Sequence, residues 1–263
     1  ISDTPYVNPG TAMVFNFRPE VLPILQKYGF NLFSIANNHA YDMGEKGVRQ
    51  TRERLSEAGI HWVGESKGIA RESQWTTTVK STTLTFFAFN DTLRDRLDFD
   101  QAATLIRAAE KGRENKEGAD FTIVSIHWGV EYNQTPTQKQ VENAHKLVDA
   151  GADIILGHHP HVIQSHEWYT GPDGPRPIYY SLGNWTHGHN RGARPEPTFM
   201  ARLLVRDNKV RQFSYLPALI SDKEQAQFLP PEKADMVLNR VASMSREFSS
   251  TRFVADKTEV IIE

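Results

Sequence analysis

The chain has 263 residues, 39% hydrophobic and 24% charged, with a net charge of −2. That is enough chain for a sizeable core and a globular composition, and it gives no electrostatic case for nucleic acid as a partner. With no cysteine the chain has no disulfides and no thiolate metal ligands, and no apolar stretch approaches the roughly 18 residues of a membrane span.

Residues 1–17 hold Pro5, Pro9 and Gly10 and read as an irregular, extended lead-in. Arg18-Pro19-Glu20 opens a short helix to about Tyr28, stopped by Gly29. Residues 30–36 are an apolar run of strand length that ends abruptly in Asn37-Asn38-His39. An amphipathic helix over 45–58 follows, with Asp42 placed to cap it and Gly59 ending it. Residues 60–64 form a short strand, and 76–79 with 84–89 a hairpin around Lys80-Ser81.

A surface helix is expected from residue 98 to about 117. The apolar strand at 121–126 again ends in polar chemistry, at His127-Trp128-Gly129. Thr137 and Gln140 form a capping box that opens a helix to Asp149, closed by Gly151. The run Asp153-Ile154-Ile155-Leu156 then leads into Gly157-His158-His159-Pro160-His161, which holds three of the chain's 10 histidines. Strands at 162–169 and 177–182 flank a Gly171-Pro172-Asp173-Gly174 turn. A Gly/Pro/Arg-rich loop over 187–197 precedes a hairpin of 199–205 with 210–215 across Asp207-Asn208, and the last helix spans 232 to about 248.

Alternating strands and helices with interleaved hairpins define an α/β fold with a layered sheet core. Three core strands end in nitrogen or oxygen donors: Asn38-His39, His127, and His158-His159-His161. Strand ends at one edge of a sheet converge, and open α/β sheets place ligands there. Neutral imidazole is the commonest transition-metal ligand, so zinc, manganese or iron suits such a set.

Ile35-Ala36-Asn37-Asn38-His39 with Asp42 and Gly44, His127-Trp128-Gly129-Val130-Glu131-Tyr132, the histidine cluster with Val162, Gln164 and Glu167, and Tyr180-Ser181-Leu182-Gly183-Asn184 together resemble the CapA family. This is the poly-γ-glutamate capsule synthesis group, similar in core fold to calcineurin-like metallophosphoesterases. The resemblance covers most of residues 1–218. It implies a four-layer αββα sandwich, one domain over 1–263 with a helical extension at 225–263, and a pair of divalent ions (manganese, zinc or iron) in the complete protein.

By motif, Asn38, His127 and His159 would hold one ion and His161 the second, while His39 would act as general acid. His158, Asn184, Glu131 and Glu167 would contact substrate or support the ligands, Glu131 and Glu167 by anchoring loops. His61 and His145 read as structural, His187 and His189 as loop residues for substrate contact or none rather than a metal pair, and Arg191 and Arg194 as solvated, with steering of an anionic substrate as the alternative.

The family pattern places an aspartate and a glutamate ahead of the segment matching Ile1, and neither Asp3 nor Glu20 stands in a matching position. The expectation is therefore a chain without its first strand, leaving a sheet edge or groove open, and weak binding of one ion on the Asn38/His127/His159 side. The function implied is a metal-dependent phosphatase acting in capsule or envelope polymer formation. A metal-dependent peptide epimerase and a non-catalytic polymer-binding or export partner are the alternatives. Its partners would be an anionic polymer, or a small phosphoester or peptide substrate, together with other capsule synthesis proteins. The location would be extracytoplasmic, with membrane anchoring through a segment outside this chain.

Overall fold

The computed structural model describes residues 1–3, 13–93, 97–114, 120–186, 196–206, 209–220, 225–248, 253–256 and 259–262. A 3-10 turn at Pro19–Val21 leads into α1 (Leu22–Lys27), as the Arg18-Pro19-Glu20 start predicts. Strands β1 (Leu32–Ser34) and β2 (His61–Val63) pair in parallel, joined by α2 (Gly44–Glu57), which buries Gly47, Val48 and Leu55. Among the described residues β1 pairs with β2 alone. An apolar cavity of about 570 Å³ lies beside it, lined in part by Phe17, Leu25, Phe30, Phe33 and His39.

The main sheet has six strands: β3 (Gln74–Val79), β4 (Thr82–Asn90), β5 (Phe121–His127), β6 (Ile154–His158), β7 (His166–Gly171) and β8 (Gly174–Tyr179). Their order is β3-β4-β5-β6-β8-β7, with β4, β5, β6 and β8 parallel. Helices α3 (Phe99–Glu114) and α4 (Gln138–Asp149) cover one face. There Phe87, Phe89, Val124, Ile126 and Ile155 meet Ala102, Ile106, Ala144 and Leu147 in one buried cluster. Burying such a side chain contributes about 1.5–3 kcal/mol, so this face fixes the sheet.

On the other face Phe121, Ile154 and Tyr179 pack with residues of a second sheet and a helix. That sheet holds the hairpin β9 (Glu196–Arg206) and β10 (Lys209–Ile220), with β11 (Ala226–Phe228), β12 (Phe253–Asp256) and β13 (Glu259–Ile262). Helix α5 (Pro231–Met244) packs on β10 and completes the αββα order of layers. The stretch read as a helical extension therefore also carries strands, with β13 paired to β10 and β12 to β13. Phe253-Val254 and Val260-Ile261-Ile262 are the β-branched and aromatic runs that favour this. No described helix is long and apolar enough to cross a membrane.

The register carries the functional geometry. Asn90 of β4 lies opposite His127 of β5, and His127 opposite His158 of β6. Parallel strands running in step bring their carboxyl ends to one line.

Candidate functional site

His127 closes β5, and the loop after β1 delivers Asn38 to it. The His127 Nε2–H donates to Asn38 Oδ1 at 2.9 Å across 89 residues of sequence. Beyond the end of β6 the chain bends sharply, with φ of 97° at His159 and 62° at His161. Left-handed backbone in non-glycine residues stores strain and collects at functional sites. The bend sets the His159 ring 4.8 Å from that of His127 and 6.0 Å from that of His161. The four residues predicted as metal ligands are therefore together.

Hydrogen bonds orient His161 and His39. His161 Nδ1–H donates to Asn184 Oδ1 at 2.7 Å, which leaves Nε2 as the lone-pair nitrogen. Asn184 is buried, and its Nδ2 has no partner among the described residues. His39 Nδ1–H donates to Asp42 Oδ2 at 2.8 Å, and the ring meets Phe15 edge-on at 4.5 Å. Asp42 is thus the orienting partner of His39, not a helix cap: α2 is capped at Met43 with no side-chain bond. Its Oδ2 also accepts the Phe15 N–H at 2.8 Å.

Burial drives the imidazoles to their neutral forms. The His127 pKa falls well below 6.5 through desolvation, helped by His159, His158, His161 and His39 around it. Desolvation lowers His159 to about 4 against the pull of Glu131, and it also lowers His158. A neutral imidazole is what a metal ligand requires.

The loop carrying Asn38 and His39 rests on a support that sequence reasoning missed. Buried Ser66, just past β2, accepts the Asn37 N–H at 3.0 Å and donates to the Ile35 carbonyl at 3.1 Å. Glu65 accepts from Tyr41 Oη at 2.9 Å and from Arg52 at 2.8 Å. Two polar residues directly after a short strand and Gly64 were the available signal.

Two predicted supporting residues fall in unexpected places. Glu131, read as a loop anchor, forms a group with His159 and His161 whose donor atoms all lie within 4.8 Å of one another. Glu167 is buried in β7 and accepts from Tyr180 Oη at 2.6 Å and from His145 Nε2 at 2.9 Å, so the structure does not bring it to the cluster. The His61 ring lies tilted against Trp75 at 4.5 Å, away from the cluster. His187, His189, Arg191, Arg194 and the turn at Asp207-Asn208 lie outside the described residues.

A divalent ion fits this donor set. The buried His159 Nδ1 has no partner among the described residues, and the donors are imidazole nitrogens with amide and carboxylate oxygens.

These features define a layered α/β protein with an imidazole- and amide-lined site at the carboxyl ends of its strands. The chain belongs to the bacterial capsule synthesis protein family PGA_cap, whose pattern matches residues 2–188. It is 30% identical over 223 residues to the capsule biosynthesis protein CapA of Bacillus anthracis, covering 78% of this chain and 51% of that one. With the PGA biosynthesis protein CapA of Bacillus subtilis (strain 168) it shares 28% identity over 248 residues, covering 91% and 62%. The chain thus spans about half to three-fifths of these relatives. A crystal structure of a hypothetical protein from Thermus thermophilus shares the fold, with a TM-score of 0.56 at 18% identity, covering 76% of this chain and 81% of that one.

Proposed function

We propose that the chain is a metal-dependent hydrolase of the phosphoesterase type, serving poly-γ-glutamate capsule or envelope polymer formation outside the cytoplasmic membrane. The observation that carries the reading is the convergence of Asn38, His127, His159 and His161 at the strand ends, with His127 and His159 held neutral by burial. Membership of the capsule synthesis family and the names of the CapA relatives supply the polymer context, with other capsule synthesis proteins as partners.

Asn38, His127, His159 and His161 would hold the divalent ion, which when bound supplies charge stabilisation for a phosphoryl oxygen and a more acidic water. The chain's own groups do the rest. Asp42 fixes the proton of His39 on Nδ1, so that Nε2 faces away from the carboxylate and, once protonated, can pass a proton to a departing oxygen. Asn184 holds the proton of His161 on Nδ1 and so keeps the other nitrogen available as a donor. The Trp128 indole donates to the Tyr180 carbonyl at 2.9 Å in the buried core, which keeps the end of β5 rigid.

The test is phosphate release from an aryl phosphate with added manganese. Turnover is expected to fall about 10²–10⁴-fold in His39→Ala, the range for loss of a general acid. Solvent deuterium entering a peptide Cα without cleavage would assign an epimerase instead. Polyglutamate retention unaffected by chelator, with neither activity, would assign a binding module.

A further inference from the structure

The turn after β5 is fastened to the histidine loop by three independent ties. The Tyr132 N–H donates to the Pro160 carbonyl at 2.7 Å. The Tyr132 ring stacks on His161 at 5.8 Å and 26°. Gln164 Nε2 donates to the Asn133 carbonyl at 2.7 Å. The backbone is bent to allow this, with φ of 63° at Tyr132 and 84° at Gly129. At Gly129 a Cβ would sit 2.8 Å from the Gln140 amide, so the turn is also pressed against the start of α4. Left-handed backbone at a non-glycine residue such as Tyr132 persists only where the surroundings impose it.

What these ties hold in place is Glu131. It is exposed, and its carboxylate makes no hydrogen bond or ion pair among the described residues. Yet a carboxylate oxygen lies within 4.8 Å of a ring nitrogen of His159 and of His161. An acid that merely bridged to an imidazole would close to hydrogen-bond distance. Glu131 instead faces both rings across a gap. Donors bonded at about 2.0–2.2 Å to one tetrahedral zinc-like cation stand roughly 3.4 Å apart, so side-chain adjustments of about 1 Å would close the set.

Resting on the metal-dependent reading above, we infer that Glu131 supplies the anionic ligand of this site, holding a divalent cation together with His159 and His161. His161 presents Nε2, because Nδ1–H is committed to Asn184. One carboxylate with two imidazoles is a nitrogen-and-oxygen set suited to zinc, manganese or iron, and its charge offsets half that of the dication. The assignment also gives the turn's strain a purpose, since it aims the acid at the two nitrogens. Glu131 thereby moves from loop anchor to metal ligand.

The experiment is cobalt(II) titration of the chelator-treated full chain, read by visible absorption and calorimetry. Wild type, Glu131→Gln and the surface control Glu45→Gln are compared. Glu131→Gln keeps the size of the side chain at an exposed position, and a circular dichroism spectrum matching wild type shows that the fold is kept. The expected result is at least tenfold weaker binding in Glu131→Gln, with a changed cobalt spectrum, and wild-type behaviour in Glu45→Gln. Equal affinity and an identical spectrum in Glu131→Gln would overturn the role of Glu131 while leaving the metal-dependent reading intact. No cobalt binding by wild type would overturn both.

Discussion

At single positions, hydrogen bonding and burial decide which histidines can do chemistry. His39, His127, His159 and His161 gather at the strand ends, whereas His166 lies in an aromatic box of Tyr179, Phe199 and Tyr215. Its Nδ1 is bonded to Tyr215 Oη, and its buried Nε2 has no partner among the described residues. Burial alone holds its pKa well below the ordinary 6.5. The unfolded chain therefore takes up a proton near pH 6.5 that the folded chain refuses. The contribution of His166 to stability is complete above that pH and is lost progressively as the pH falls below it. Thermal melts should show wild type losing up to about 2 kcal/mol through this group between about pH 6.5 and about pH 5. His166→Phe should show a visibly smaller loss over the same range, whatever its stability at neutral pH. Parallel pH dependence in the two proteins would remove His166 from the account.

Among the elements, β6 carries the site and Gly157 sets how closely it can approach β8. A Cβ built there would lie 2.1 Å from the Tyr180 carbonyl oxygen and 2.7 Å from the Trp128 Nε1. Both are buried backbone or ring atoms that cannot swing aside. Gly157→Ala should thus cost about 3 kcal/mol or more, at the upper end for overpacking, and displace His158 and His159. Gly29→Ala, with open space around its Cβ and φ of 77°, should cost only the conformational strain of about 1–2 kcal/mol. Denaturant midpoints compare the two, and equal losses would contradict the packing argument. Elements whose signals are local were legible in the sequence: the Thr137/Gln140 capping box of α4 is present, with the Gln140 N–H donating to Thr137 at 3.2 Å. So were the three strand ends, because apolar runs stopping at His or Asn need no tertiary information. Asp42 was misread because its position ahead of α2 fits a cap equally well, and only the loop's path turns its carboxylate onto His39. Glu131 was undervalued for a related reason: the positive φ at Tyr132 sets the turn's direction, and sequence does not reveal it. Pairing partners were the least legible, since β13 finds β10 across more than forty residues of chain.

For the whole molecule, the site exists only when the chain is folded. Asn38 and His127 meet across 89 residues, and His159 joins them from a third segment. Only His159 and His161 are near neighbours in the chain, and their relation depends on two left-handed residues held by the fold. An ion bound by this set therefore binds the native state and not the unfolded one, and by mass action it must stabilise the molecule. At a free concentration about 100 times its dissociation constant the gain is about 2.7 kcal/mol. For a domain of roughly this size that corresponds to a midpoint rise of about 5–10 °C. Melting the chelator-treated protein with and without manganese or zinc measures it, without reference to any substrate. His127→Ala, which removes one donor and leaves Asn38 without its partner, should abolish most of the rise. Were the midpoint unmoved by any divalent ion, the convergence of neutral imidazoles would be a packed polar network in its own right, and polymer binding would become the stronger account of the site.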